Sequence, residues 1–383
     1  MTRAQLLTNQ VRTYDWGSRT VLPALVGAPV PSVQPWAEIW IGAHPVDPSR
    51  LADGRSLADL EPGLGFMVKL LAAEFPLSIQ AHPDREHAAA GYAAEEALGV
   101  PRSSASRSFK DTSHKPELLV ALTRFEALCG FRSPTEILRL AASWGAPRWV
   151  ALVEPLRGDP ASGAALRACF ARLVQLPEPD CEALLAEVVA TAAAFAEDPL
   201  SAHRDVARWV VELARLHPDD PGVAAPLLLR LVILAPGEGL FVAAGVLHSY
   251  LHGAGVEVQA SSDNVLRAGL TAKKVDLPEL LSVIVADQGP APLVRPRALA
   301  AGLDTYDVPV EDFAVWRVRP AGKPIEIAAS GPVIVVCVDG AVAVEGQALT
   351  PGAAAYLPAD LTTVTIGGAG TCFVTARRAA APG

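Results

Sequence analysis

Residues Pro236–Leu277 read PGEGLFVAAGVLHSYLHGAGVEVQASSDNVLRAGLTAKKVDL. Apolar pieces of strand length alternate there with glycines and turn formers, the pattern of β-strands joined by tight connections. Into that framework the stretch sets His248, Tyr250, Glu257, Asp263, Arg267 and Lys273. A metal candidate, acids, a phenol and cations gathered on strands are what a site for a charged, oxygen-rich small molecule requires.

Partners for that site lie upstream, in PLSIQAHPD at Pro76–Asp84 and SHKPELLVALTRF at Ser113–Phe125. Side chains at i and i+2 of a strand share a face, so Gln80 and His82 project together, with Ser78 beside them. Glu117 follows His114-Lys115-Pro116, and the residue before a proline is held out of the helical region, which makes an extended approach. A histidine from a distant strand completes a set of nitrogen and oxygen ligands. His248 is the candidate, although spacing alone does not select it.

The chain has 383 residues, 51% of them hydrophobic, enough to bury more than one core. Its formal charge of −9 and pI near 5.4 leave no basic stripe for nucleic acid, so cations for an anionic ligand must be concentrated locally. Lys115, Arg267, Lys273 and Lys274 are the candidates, with Lys274 read as part of a solvated loop. No uninterrupted apolar run reaches membrane-spanning length, and MTRAQLLTNQVRTYDWGS lacks a secretory pattern. The cysteines at 129, 169, 181, 337 and 372 show no paired spacing. Reduced, buried thiols in a cytoplasmic protein are expected.

Six blocks carry a resemblance: YDWGS at Tyr14–Ser18, WAEIWIGAHP at Trp36–Pro45, PLSIQAHPD, HKPEL, FEALCGFR at Phe125–Arg132 and SDNVLRAGLTAKKVD at Ser262–Asp276. In this order they resemble the type I mannose-6-phosphate isomerases (phosphomannose isomerases) of the cupin superfamily. The middle and the last hundred or so residues match only in general character. Departures include Ser249, where alanine is commoner, and Val258-Gln259.

The resemblance implies zinc ligands at Gln80, His82, Glu117 and His248, and an essential arginine at Arg267. It implies His114 and Lys115 for ring opening and proton transfer, and Tyr250, Glu257, Asp263 and Lys273 as pocket residues, to which strand spacing adds Ser78 as a substrate-binding candidate. The implied reaction interconverts mannose 6-phosphate and fructose 6-phosphate, at the branch between glycolysis and GDP-mannose. An aldose–ketose conversion must open the ring, move a proton from C2 to C1 and stabilise a negative enediolate, which a divalent cation and a fixed guanidinium suit. The ligand set also tolerates manganese, cobalt, iron or nickel. The competing readings are a non-catalytic, metal-bearing sugar-phosphate binder and an isomerase of a related phosphosugar such as glucose 6-phosphate. No membrane or nucleic-acid partner is expected, and a monomer is favoured over a dimer.

The fold expected is mainly β with an α-helical insertion. Residues 1–130 and 227–290 are assigned to a cupin-type jelly-roll catalytic barrel and 131–226 to a helical domain that forms a wall or lid. Residues 291–383 are assigned to a second, smaller cupin-like β-barrel. SPTEILRLAASW at Ser133–Trp144 opens with a capping signature, and CEALLAEVVATAAAFAED and SAHRDVARWVVELARLH keep helical spacing. PLLLRLVILAP is read as a buried strand, Ser330-Gly331-Pro332 as a break, and Asp339-Gly340 as a hairpin turn. His203 and His217 are read as structural, Asn264 as a turn former, and Glu38 as leaning toward the site.

Overall fold

The computed structural model describes residues 3–378 except 105, 159–162, 287, 288 and 290–292. Among these, the strands form antiparallel sheets of 11 and 10 members, and a helical block interrupts the first. The expected boundary at 290/291 falls outside the described residues.

The long strand His248–Ala260 organises the first sheet. Its C-terminal part, Gly253–Ala260, pairs with Phe66–Ala73, and Gly255–Gln259 pairs on the other side with Glu117–Ala121. Its N-terminal part pairs with Phe125–Phe131, and His248 pairs with Gln80 of Ile79–Ala81. The change of partners occurs at Gly253, whose φ is +121° and where a Cβ would stand 2.6 Å from the Arg124 carbonyl oxygen. Only glycine fits that bend without strain.

The helical block opens at Pro134–Trp144 with the expected capping box, in which Ser133 and Glu136 satisfy each other's backbone N–H groups. Helices continue through Glu178–Glu197 and Arg204–Leu216 to Ala225–Leu228. The strand read from Pro226 therefore starts only at Leu229, because Ala225–Leu228 completes a last helical turn. His203 and His217 flank Arg204–Leu216 as its caps.

The helices are neither wall nor lid of the large cavity described below, since none of its lining residues falls in 134–228. Strand alternation gives the reason. Gln80 and Arg267 turn to the cavity while Ile79, Ala81, Leu266 and Ala268 point the other way, into the core of the helical block. The helices support the site from behind.

The helix Arg85–Ala97 went unread in the sequence. It is Ala-rich with only Ala88 buried, so it carries no apolar stripe, and Asp84 caps it by accepting from the His87 N–H.

In the second sheet, Val333–Val344 pairs with Thr363–Ala376, and the break at Ser330–Pro332 stands. Asp339-Gly340 is not a hairpin turn. The strand runs through it with a register shift between Cys337 and Asp339, and the reversal comes at Glu345-Gly346, both at positive φ. The first strand, Gln5–Thr8, pairs with Ala354–Tyr356 on one side and Arg50–Leu51 on the other, so both of these N-terminal strands join the second sheet, while Leu293–Val294 pairs with Gly239–Leu240 of the first. Leu7, Ile334 and Phe373 share one core with Val68, Leu118 and Val256, so the sheets are packed together.

Candidate metal centre

The register of the first sheet brings the separated motifs together. Gln80 lies opposite His248 on one side and opposite Arg267 on the other. Glu117 lies opposite Gln259 and Val242. Beside them opens a cavity of about 470 Å³ lined by Ser78, Gln80, Lys115, Glu117, Tyr250, Glu257, Asp263, Arg267 and Lys273.

His82, Glu117 and His248 are buried, and a ligand atom from each lies within 4.8 Å of the others. His82 Nε2 stands 3.3 Å from Glu117 Oε1, and His248 Nε2 3.6 Å from Oε2. The other ring nitrogens are engaged: His82 Nδ1 donates to the Asn264 carbonyl at 2.8 Å and His248 Nδ1 to that of Val246 at 3.0 Å. A carbonyl can only accept, so the hydrogen of each neutral ring sits on Nδ1 and Nε2 presents a lone pair.

Both Nε2 atoms are buried without a hydrogen-bond partner. Protonation does not supply one: burial, reinforced by the Lys115 charge, holds His82 down at about 4, and burial lowers His248 as well. Two imidazole lone pairs and a carboxylate thus converge on one point with no proton between them. A divalent cation is the group that resolves this arrangement, and nitrogen and oxygen donors suit zinc. Burial alone would raise the Glu117 carboxyl, but Lys115 and the histidines hold it well below the usual range.

Lys115 Nζ reaches Glu117 Oε1 at 3.0 Å, and the Tyr250 hydroxyl donates to Oε2 at 3.4 Å. Arg267 and Lys273 share the cavity with Lys110, a cation the sequence reading passed over. Partial burial, Arg267 and Lys110 lower the Lys273 ammonium, a sign that three cations crowd one side. Lys274 turns away to Asp276 at 3.0 Å, in keeping with a solvated loop.

Three predicted site residues do not line the cavity: His82 and His248 are buried beside it at Glu117, whereas His114 is turned to the C-terminal part of the chain. Its Nε2 lies 2.9 Å from Asp312 Oδ2, in the C-terminal part of the chain. Asp263 lines the cavity and is held by His44 Nε2 at 2.9 Å; the ring of His44 packs edge-on against Trp40, 4.6 Å between centroids.

Behind Glu257 lies a group the sequence reading missed. Lys69, buried in Phe66–Ala73, pairs with Glu257 at 3.0 Å and Glu38 at 3.2 Å. Burial opposes its charge, but the two carboxylates outweigh it and raise the ammonium's pKa. A single lysine within FMVKLLAA was the available signal, because lysine is almost never fully buried unless paired. Asn264, read as a turn former, is fully buried; its side chain accepts from the Lys110 and Asp111 N–H groups and donates to the Ser113 carbonyl, while its own carbonyl orients His82.

Residues 5–134 match the family model for the phosphomannose isomerase type I catalytic domain. The chain is 35% identical to the mannose-6-phosphate isomerase of Escherichia coli K12 over 96% of this chain and 97% of that protein. It is 30% identical to the human mannose-6-phosphate isomerase over 84% of this chain and 83% of that one. The Salmonella typhimurium mannose 6-phosphate isomerase, solved with fructose 6-phosphate and zinc, superposes with a TM-score of 0.89 at 33% identity, covering 98% of this chain and 100% of that one.

Proposed function

The chain belongs to the type I phosphomannose isomerases, and from that premise we propose that it interconverts D-mannose 6-phosphate and D-fructose 6-phosphate with zinc as its cofactor. The observation that carries the reading is the pair of unpartnered, buried Nε2 atoms of His82 and His248 facing Glu117 at a cavity edged by cations.

Gln80, His82, Glu117 and His248 would hold the ion, and zinc bound there supplies Lewis acidity toward the sugar oxygens at C1 and C2. Arg267 stabilises the negative charge that develops on the enediolate. Lys110, Arg267 and Lys273, with Ser78, receive the phosphate, whose charge these cations match in a protein of net charge −9. His114, next to Lys115 in the chain, serves ring opening. The proton leaving C2 passes to C1 by way of Lys115, while the hydroxyl proton passes from O2 to O1. Tyr250, Glu257 and Asp263 fix the hydroxyls; His44 braces Asp263, and Lys69 braces Glu257.

The finer architecture belongs to the same proposal. The strands around the cavity form a cupin-type jelly roll of 1–130 and 227–290, less the strands Gln5–Thr8 and Arg50–Leu51, with 131–226 as a helical insertion. Residues 291–383, less the strand Leu293–Val294 that pairs in the first sheet, form a smaller cupin-like unit. A cytoplasmic monomer is the matching expectation, and no helix among the described residues is long and apolar enough to cross a membrane.

A coupled assay following fructose 6-phosphate formation from mannose 6-phosphate, with glucose 6-phosphate beside it, tests the reading. Turnover of the mannose compound alone supports it. No turnover of either by zinc-loaded protein would leave a sugar-phosphate binder.

A further inference from the structure

Asp312, in the C-terminal unit, contacts both segments that carry the candidate ligands. Asp312 sits between Val310 and Phe313, both buried in the core common to the two sheets. Such anchoring leaves its backbone little freedom. Its Oδ2 accepts from His114 Nε2 at 2.9 Å and its Oδ1 from Arg85 Nη2 at 2.7 Å. Arg85 Nη2 is also 2.8 Å from His114 Nε2, so the three groups form one closed cluster. Burial alone would raise the Asp312 carboxyl; His114 and Arg85 bring it below the usual range.

Both partners of Asp312 continue directly into ligand-bearing segments. His114 leads through Lys115 and Pro116 to Glu117, and Arg85 follows His82 after Pro83 and Asp84. The two segments come from different strands, Ile79–Ala81 and Glu117–Ala121, which do not pair with each other. One acid from a distant part of the chain ties them together.

We infer that Asp312 is a positioning residue for the isomerisation: by accepting from His114 and Arg85 at once, it fixes the His114–Lys115 segment relative to the segment bearing His82. The C-terminal unit is thereby part of the working site. The inference rests on the roles given above to His114 and Lys115. It requires that loss of Asp312 impair the chemical step rather than metal or phosphate binding, because the ligands and the cavity cations keep their own supports.

The test uses the full chain with Asp312→Asn and Asp312→Ala, and Glu311→Gln as a control at the exposed neighbouring acid. Zinc per chain, kcat and KM for mannose 6-phosphate are measured, and ¹⁵N spectra of the histidine rings report the His114 tautomer. The expected result is unchanged zinc and a KM within about twofold. With it comes a kcat lower by about tenfold or more, since a misplacement of roughly 1 Å can cost about 10²-fold. The His114 ring signals shift in the alanine variant, and Glu311→Gln behaves as wild type. Unchanged kcat in both Asp312 variants of an active enzyme overturns this inference alone, as does a loss of turnover that only follows lost zinc. Wild-type protein inactive on the substrate would instead defeat the functional reading, and this inference with it.

Discussion

Gln80 and His248 face each other in register across an antiparallel strand pair, although one comes from the N-terminal third of the chain and the other from beyond the helical block. That pairing is what turns two remote motifs into one centre. Exchanging His248 for alanine should leave the strand paired and remove a ligand. Metal analysis of purified His248→Ala is expected to show zinc lost or greatly reduced, with the fold retained by circular dichroism. Wild-type zinc content in the variant would exclude His248 as a ligand.

Arg267 contributes charge and no ligand. Arg267→Ala is expected to keep its zinc while kcat drops by about 10²-fold or more, the usual scale for removing a donor to a developing negative charge. Steady-state kinetics beside metal analysis check this, and retained turnover would take Arg267 out of the reaction.

Lys69 holds two buried carboxylates. Lys69→Met keeps the volume but strands Glu38 and Glu257 without their counter-charge, and a loss of stability of about 3–5 kcal/mol is expected. Denaturant unfolding measures it. A variant as stable as wild type would mean that the carboxylates take up protons at little cost.

The metal-free protein should weaken with acid before its carboxylates titrate. His82 is held at about 4 by burial and Lys115, against 6.5 in an unfolded chain, and His248 is lowered too. The unfolded state therefore binds more protons between those limits, and stability falls as pH drops from about 6.5 toward 4, by up to about 3 kcal/mol for His82. Glu117, held low, adds its own loss only below about 4.5. Thermal melts of chelated protein from pH 7 to 4.5 should decline steadily; a flat melting temperature would mean that these rings are not held neutral.

Much of the centre was legible because strand alternation and short motifs are local. Gln80 and His82 share a face by period alone, and the Ser133–Glu136 capping box is written in four residues. What failed was long-range or lacked a pattern. Asp339-Gly340 has hairpin composition, yet pairing with Thr371 and Gly370 carries the strand straight through it. Gln5–Thr8 has nothing in its own sequence to say that its partner lies at Ala354–Tyr356. Asp312 touches His114 only because two sheets share a core, and Asn264 was misjudged because turn chemistry and buried bracing use the same side chain.

The central claim is that a zinc ion held by Gln80, His82, Glu117 and His248 makes this chain an isomerase. The most direct test removes the metal by exhaustive chelation, then titrates zinc back while zinc bound and fructose 6-phosphate formed from mannose 6-phosphate are followed together. The account predicts activity abolished by chelation and regained in proportion to zinc bound. Full turnover in protein shown to be metal-free would contradict it.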